Sequence, residues 1–156
     1  MASPFKDEFA QAKSVVLRLL KIRNRSEKEI RDHLARKRFS KETIARTLQD
    51  FKAVSWVNDR QFARDWIGWR LKKPLGLRRI AFELKAKGID QDLIQEELKR
   101  STQDYEEEKS IQEVAQRYLL KAKEKSDRLK IKRRLFEYLA RRGFTIESIQ
   151  KTVDSL

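Results

Sequence analysis

At 156 residues, with 38 Lys and Arg against 24 Asp and Glu, the chain carries a formal charge of +14 and a pI near 10.1. Cysteine is absent, which excludes disulfides and thiolate chemistry. No run approaches the roughly 18 apolar residues that a membrane span needs, and the positive balance calls for a partner of negative potential: nucleic acid, an acidic protein face or anionic lipid.

Only 4 Gly and 2 Pro leave few places for tight turns, and a 40% share of charged residues favours helix over sheet. The hydrophobic share of 39% is low for one large core and fits several small ones. The N-terminal residues lack an apolar signal core, so the expectation is a soluble cytoplasmic protein, working as a monomer.

Residues 1–7 read as a lead-in. From 8 to 23, Phe9, Ala12, Val15, Val16, Leu19 and Leu20 follow helical spacing. Asn24, Arg25 and Ser26 break that helix, and Ser26 with Glu29 three residues on has the form of a capping box. A second helix runs to about Lys37 with Ile30 and Leu34 inward. Phe39 fills the turn, Ser40 caps, and a third helix carries Ile44, Leu48 and Phe51.

That unit recurs. Asn58 caps a helix holding Phe62, Trp66 and Trp69, and Leu77, Ile80, Ala81 and Leu84 form the next apolar stripe. Gly88 ends that helix, and Asp90 caps one carrying Leu93, Ile94 and Leu98. A shift of 50 lays Ile30, Leu34, Phe39, Ile44 and Leu48 on Ile80, Leu84, Ile89, Ile94 and Leu98. A further shift of 55 adds Leu135, Leu139, Phe144, Ile149 and Val153, with Gly143 under Gly88 and Thr145 under Asp90. Unit one departs by placing Arg38 in the glycine column. The third unit opens on a longer helix, about 104–124, bearing Ile111, Val114, Tyr118 and Leu119. The expected fold is all-α: three tandem three-helix repeats, over 1–54, 55–102 and 103–156, packed into an elongated, curved molecule.

The charge repeats with the units. Residues 18–38 hold nine cations and three acids, 70–87 seven and one, and 125–142 eight and two, a net +6 each time. The third helices are neutral or acidic. Cations therefore gather at the end of each unit's first helix and along its second, where stacked units would present a discontinuous basic strip. Its candidate contact residues are Arg25 and Arg31, then Arg70, Lys72, Lys73, Arg78, Arg79 and Lys85, then Lys130, Arg133, Arg134 and Arg141. Some are open to a plainer reading as i, i+4 pairs (Arg79–Glu83, Glu83–Lys87, Arg133–Glu137–Arg141) contributing about 0.2–0.5 kcal/mol each. Lys130 with Arg134, and Lys121 with Lys125, are like charges one turn apart and resist that explanation.

Other residues carry less. Asp104, Glu106, Glu107, Glu108 and Glu113 read as helix-end stabilisation. Trp66 and Trp69 are both close enough to Phe62 to pack inward, with Trp69 the one that could face a partner, and Trp56 reads as a pin between units one and two. His33 has no second His or Cys near it, and Asp90, Asp92 and Glu96 read as capping and first-turn acids, so neither metal nor cofactor is expected. Pro74-Leu75-Gly76 lacks the Gly-Lys-Ser/Thr of a phosphate loop. No nucleophile, base and orienting acid stand together, which points to binding without catalysis.

Asn58-Asp59, Phe62-Ala63, Trp66-Ile67 and Arg70, followed by Gly76, Arg79-Ile80, Glu83-Leu84 and Lys87-Gly88-Ile89, resemble the signature of RecX regulatory proteins. Ser26-Glu27-Lys28-Glu29-Ile30 with Leu34 is similar to that family's opening segment, and Leu139, Arg142-Gly143-Phe144 and Ile149 to its ending. The likeness spans about 8–154. It implies tandem three-helix repeats that bind the RecA recombinase in the groove of its filament on single-stranded DNA. Reduced strand exchange, ATP hydrolysis and SOS co-protease activity would follow, and some members bind DNA directly. The resemblance does not assign contact residues, so the cations above rest on charge pattern. The alternative is a sequence-nonspecific DNA-binding protein acting through the basic helical surface.

Overall fold

The computed structural model describes residues 4–121 and 127–156, and every element in them is a helix. The first unit comprises α1 (Pro4–Ile22), α2 (Glu27–Arg36) and α3 (Lys41–Ala53). The second comprises α4 (Asp59–Leu71), α5 (Leu77–Ala86) and α6 (Gln91–Ser101), and the third α7 (Glu107–Lys121), α8 (Arg128–Arg141) and α9 (Ile146–Asp154). Helix α1 starts four residues earlier than its apolar spacing predicts and α7 three residues later. The expected end of α7 at 124, like Lys125, lies outside the described residues.

The interior is divided in three, one cluster to a unit. Val16, Ile30, Leu34 and Leu48 belong to the first, Ile67, Ile80, Leu84 and Ile94 to the second, and Ile111, Leu135, Leu139 and Ile149 to the third. Most of the aligned repeat positions are among the buried ones, with Phe39 and Leu98 only partly covered. Leu84 is fully enclosed in the second cluster. Leu84→Ala is expected to lower unfolding free energy by about 2–5 kcal/mol, measured by urea denaturation.

Caps start the helices where the sequence places them. Ser26, Ser40, Asn58, Asp90 and Thr145 each accept a backbone N–H from the first turn of α2, α3, α4, α6 and α9. The capping box at Ser26 is only half formed. Its hydroxyl accepts from Glu29 N at 3.1 Å, but the Glu29 carboxylate turns away to Arg23 and Lys87.

Two acids reach across a unit to cap its third helix. Glu8 on α1 accepts from Ser40 N (2.9 Å), Ser40 Oγ (2.9 Å) and Thr43 Oγ1 (2.6 Å). Glu107 on α7 repeats this with Thr145 N (3.1 Å), Thr145 Oγ1 (2.7 Å) and Ser148 Oγ (2.9 Å). Bonds from Thr43 and Ser40 hold the Glu8 carboxyl below its usual value. In unit two the tie between first and third helix is ionic. Glu97 on α6 is fully buried and meets Arg60 at 2.6 Å and Arg64 at 2.7 Å, both from α4.

Candidate functional site

The second helices α2, α5 and α8 meet end to end between units. At the first joint the hydroxyl of Ser26, the N-cap of α2, donates to the carbonyl of Lys87, the C-cap of α5, at 2.7 Å. At the second, the N–H of Gly76, the N-cap of α5, donates to the carbonyl of Arg142, the C-cap of α8, at 3.0 Å. Ser26 and Gly76 stand 50 residues apart and Lys87 and Arg142 stand 55 apart, which are the shifts of the repeat. One joint is thus built twice. It brings the C-terminus of one basic helix against the N-terminus of the next, so opposite dipole ends face each other.

Glycine makes the approach possible. A Cβ on Gly76 would lie 2.0 Å from Gly143 O, and one on Gly143 would lie 2.3 Å from Arg79 N. At the first joint a Cβ on Gly88 would lie 2.6 Å from Lys28 Cβ. Gly88 and Gly143 also adopt positive φ, 80° and 82°, as the sequence position past a helix end predicts.

Polar contacts lock each joint. Glu29 accepts both terminal nitrogens of Arg23 at 2.9 Å and Lys87 Nζ at 2.7 Å, tying the end of α1 and the start of α2 to α5. The i, i+4 pair Glu83–Lys87 therefore does not form. Lys87 crosses to the neighbouring unit, and Glu83 instead meets Arg70 at 2.5 Å, Arg79 at 3.0 Å and Trp66 Nε1 at 3.1 Å. Asp59 accepts Glu27 N at 2.8 Å, and burial, with the Glu27 carboxylate adding to it, outweighs that bond and raises its carboxyl. At the second joint Arg142 Nη1 donates to Pro74 O at 3.2 Å and the Tyr105 hydroxyl to Leu75 O at 2.9 Å. Burial there pushes the Tyr105 phenol up to about 12.

The candidate cations separate into committed and open ones. Arg70 is turned inward, its side chain 15% exposed and held by Glu83. Arg79 shares that acid, Arg31 pairs with Glu27, and Arg133 pairs with Glu137 at 3.3 Å. Lys72, Arg78, Lys85, Lys130, Arg134 and Arg141 are exposed and have no carboxylate partner among the described residues. Lys73 is exposed above Trp69, 5.0 Å from the ring centre. Arg25 is half-buried beside the first joint.

One of the three tryptophans departs from the sequence reading. Trp66 is half-buried on Phe62, but Trp69 is 47% exposed, set edge-on to Trp66 at 5.2 Å. Trp56 does not pin units one and two. It is 58% exposed and leans on Phe51 of its own unit, while Val57 takes the buried place beside it.

Family models described as the first, second and third three-helix domains of RecX match residues 12–51, 58–98 and 106–153. A regulatory protein RecX of Chlorobium phaeobacteroides (strain BS1) is 34% identical over 149 residues, covering 94% of this chain and 93% of that one. The chain belongs to the RecX family. A second regulatory protein RecX, from Mycobacterium marinum, is 35% identical over 92% of this chain and 82% of its own. Two crystal structures share the fold at 19% identity. One of a regulatory protein RecX has a TM-score of 0.81 (97% of this chain, 74% of that one), and RecX from Lactobacillus salivarius has 0.77 (97% and 99%).

The joint explains why this RecX chain can place an arginine in its glycine column. Arg38 adopts φ 65°, the left-handed conformation of Gly88 and Gly143, so the backbone of the column is kept. Gly88 and Gly143 lie against a neighbouring unit, and a side chain there would collide with it. Arg38 is exposed at the end of α2 away from the first joint, so a side chain fits. Among the described residues, no group of three His, Cys, Asp or Glu converges as a metal site requires, and no helix is long and apolar enough to cross a membrane.

The first joint has an acid limit. Burial raises the Glu29 carboxyl, but the bonds and charges of Arg23 and Lys87 outweigh it and hold the group at about 2 against an ordinary 4.5. A depressed folded-state value stabilises the fold above the unfolded value and is lost as pH falls through the folded one. The stability gap between wild type and Glu29→Gln should be full above pH 4.5 and shrink towards pH 2, measured by urea midpoints at each pH.

Proposed function

We propose that this RecX chain restrains the RecA recombinase by lodging, as a monomer in the cytoplasm, in the groove of the RecA filament on single-stranded DNA. The observation that supports the reading is the end-to-end run of α8, α5 and α2, with exposed cations Arg78 and Lys85 on α5 and Lys130, Arg134 and Arg141 on α8. Several modest contacts on adjacent RecA protomers then act as one multivalent grip. Strand exchange, ATP hydrolysis and SOS co-protease activity fall because the filament is held and lost. Co-sedimentation with RecA on single-stranded DNA, together with its ATPase rate, tests this. Lowered ATPase with co-sedimentation is the expected outcome; unchanged ATPase with no co-sedimentation discards the reading.

One observation favours a second reading, sequence-indifferent DNA binding. Trp69 is an exposed ring beside Lys73, the pairing of stacking surface and cation that single strands use. That reading predicts binding to naked DNA of order 10⁻⁴–10⁻⁶ M near physiological salt, falling linearly on a log-log salt plot. Tight binding to naked DNA without effect on RecA would favour it.

A further inference from the structure

The joint between units one and two opens into a cleft of about 460 Å³, walled by α2 on one side and by Trp66 and the outer face of α5 on the other. Its volume lies within the range of small-ligand sites. All three acids in its wall are already neutralised. Glu29 is taken by Arg23 and Lys87, Asp32 by Lys28 at 2.6 Å, and Glu83 by Arg70, Arg79 and Trp66. Arg25 and Arg36 have no carboxylate partner among the described residues, and Arg25 Nε is buried with no hydrogen-bond partner. The cleft therefore holds two uncompensated guanidinium groups.

It also holds an aromatic ring. Phe82 is 65% exposed, although the apolar columns on either side of it are buried. A large exposed ring beside two free guanidinium groups matches a ligand that has both a flat π face and an anion. We propose that this cleft binds a nucleotide, its base on Phe82 and its phosphate between Arg25 and Arg36. The base must be unstacked to enter, which selects a single strand, or a free nucleotide, over a duplex. An acidic peptide would satisfy the arginines but leave the ring uncovered.

His33, the chain's one histidine, lies in the same wall and reports on the site. Burial depresses its imidazole, and Lys37, Arg36 and Arg25 depress it further. Lys28 and Lys87 add positive charge to the cleft, while Glu29, Asp32 and Glu83 are engaged as above. A phosphate between Arg25 and Arg36 removes part of that repulsion, so His33 must titrate at higher pH when the site is filled.

The cleft needs no RecA to bind its ligand, so its test is separate from that of the filament reading. The full chain is titrated with a short oligothymidylate, with thymidine monophosphate and with an oligoglutamate peptide, following the His33 ring by NMR across pH. The oligothymidylate is expected to raise the His33 pKa. Phe82→Ala should weaken its binding by about 5–150-fold, and Arg36→Gln should lower the log-log salt slope by about 0.7. Both side chains are exposed, and thermal melts check that the fold is kept. A response to thymidine monophosphate as well identifies a free-nucleotide site; a response to the oligomer alone supports a strand site. No binding, binding without a His33 shift, wild-type affinity in both variants, or an equal response to oligoglutamate each overturns the proposal.

Discussion

Replacing Gly76 with alanine is expected to open the joint between units two and three while leaving each unit's core folded. Gly76 sits at φ −71° and ψ 150°, a conformation any residue adopts, so the substitution carries no backbone penalty of its own. The whole effect comes from the added methyl. Its position lies 2.0 Å from Gly143 O, 2.2 Å from Gly143 C and 2.3 Å from Phe144 N. Those are backbone atoms, which no rotamer change can withdraw, so α5 and α8 must separate. The bond from Gly76 N to Arg142 O goes with them. Overpacking of this kind costs about 1–3 kcal/mol and more where backbone must move. Gly68 supplies the control. It lies exposed in the middle of α4 with nothing within 4 Å of an added Cβ, and Gly68→Ala should stabilise by about 1 kcal/mol. Calorimetry distinguishes the two. Gly76→Ala should split or broaden the unfolding transition, with amide shifts concentrated at residues 74–79 and 139–145. A single sharp transition at the wild-type temperature would show that the joint does not depend on contact at Gly76.

The units and their columns are legible in the sequence because burial here follows helical period. Ile30, Ile80 and Leu135 are fully enclosed, and each sits where spacing alone places it. Caps are legible because their signals are local, and Ser26, Ser40, Asn58, Asp90 and Thr145 all act as their positions predict. The choice of partner for a long charged side chain is not. Lys87 has Glu83 one turn away and takes Glu29, 58 residues off, because the end of α5 abuts the start of α2. Arg70 reads as one more outward cation, but the bend after α4 folds α5 back and brings Glu83 to it. Glu107 reads as an acid at the start of its own helix and caps α9 instead. The sequence marks Gly143 by its left-handed position alone, and the close approach of Arg79 is a second requirement invisible in a single unit. Trp56 misleads because a large ring in a connector suggests a pin, whereas it stays exposed and Val57 takes the buried place, in the core of unit one.

Reversing Arg78, Lys85, Lys130 and Arg134 together to glutamate should abolish inhibition of the RecA filament at concentrations where the wild-type chain saturates it. The four hold no ion pair among the described residues. All are exposed, and none has a carboxylate partner among the described residues. Arg79 is left in place because it holds Glu83 and its backbone backs Gly143 at the second joint. The fold should tolerate the change. Arg78 and Lys130 lie in the first turns of α5 and α8, where an acid is favoured by the helix dipole. Lys85 lies in the last turn of α5, where the same dipole disfavours an acid by about 0.3–1 kcal/mol. Four reversals remove two units of charge each, taking the formal charge from +14 to about +6. Exposed charges at an interface act mainly on encounter rate and salt dependence, so the salt series identifies what they meet. If phosphates are the partner, the variant's binding to the filament loses about 0.7–0.9 in log-log slope, relative to wild type, for each contact removed. If acidic side chains of RecA are the partner, affinity falls while naked single-stranded DNA binding keeps its slope. Inhibition unchanged from wild type, with circular dichroism showing intact helices, would mean that these cations only solvate the surface and that the grip on the filament lies elsewhere.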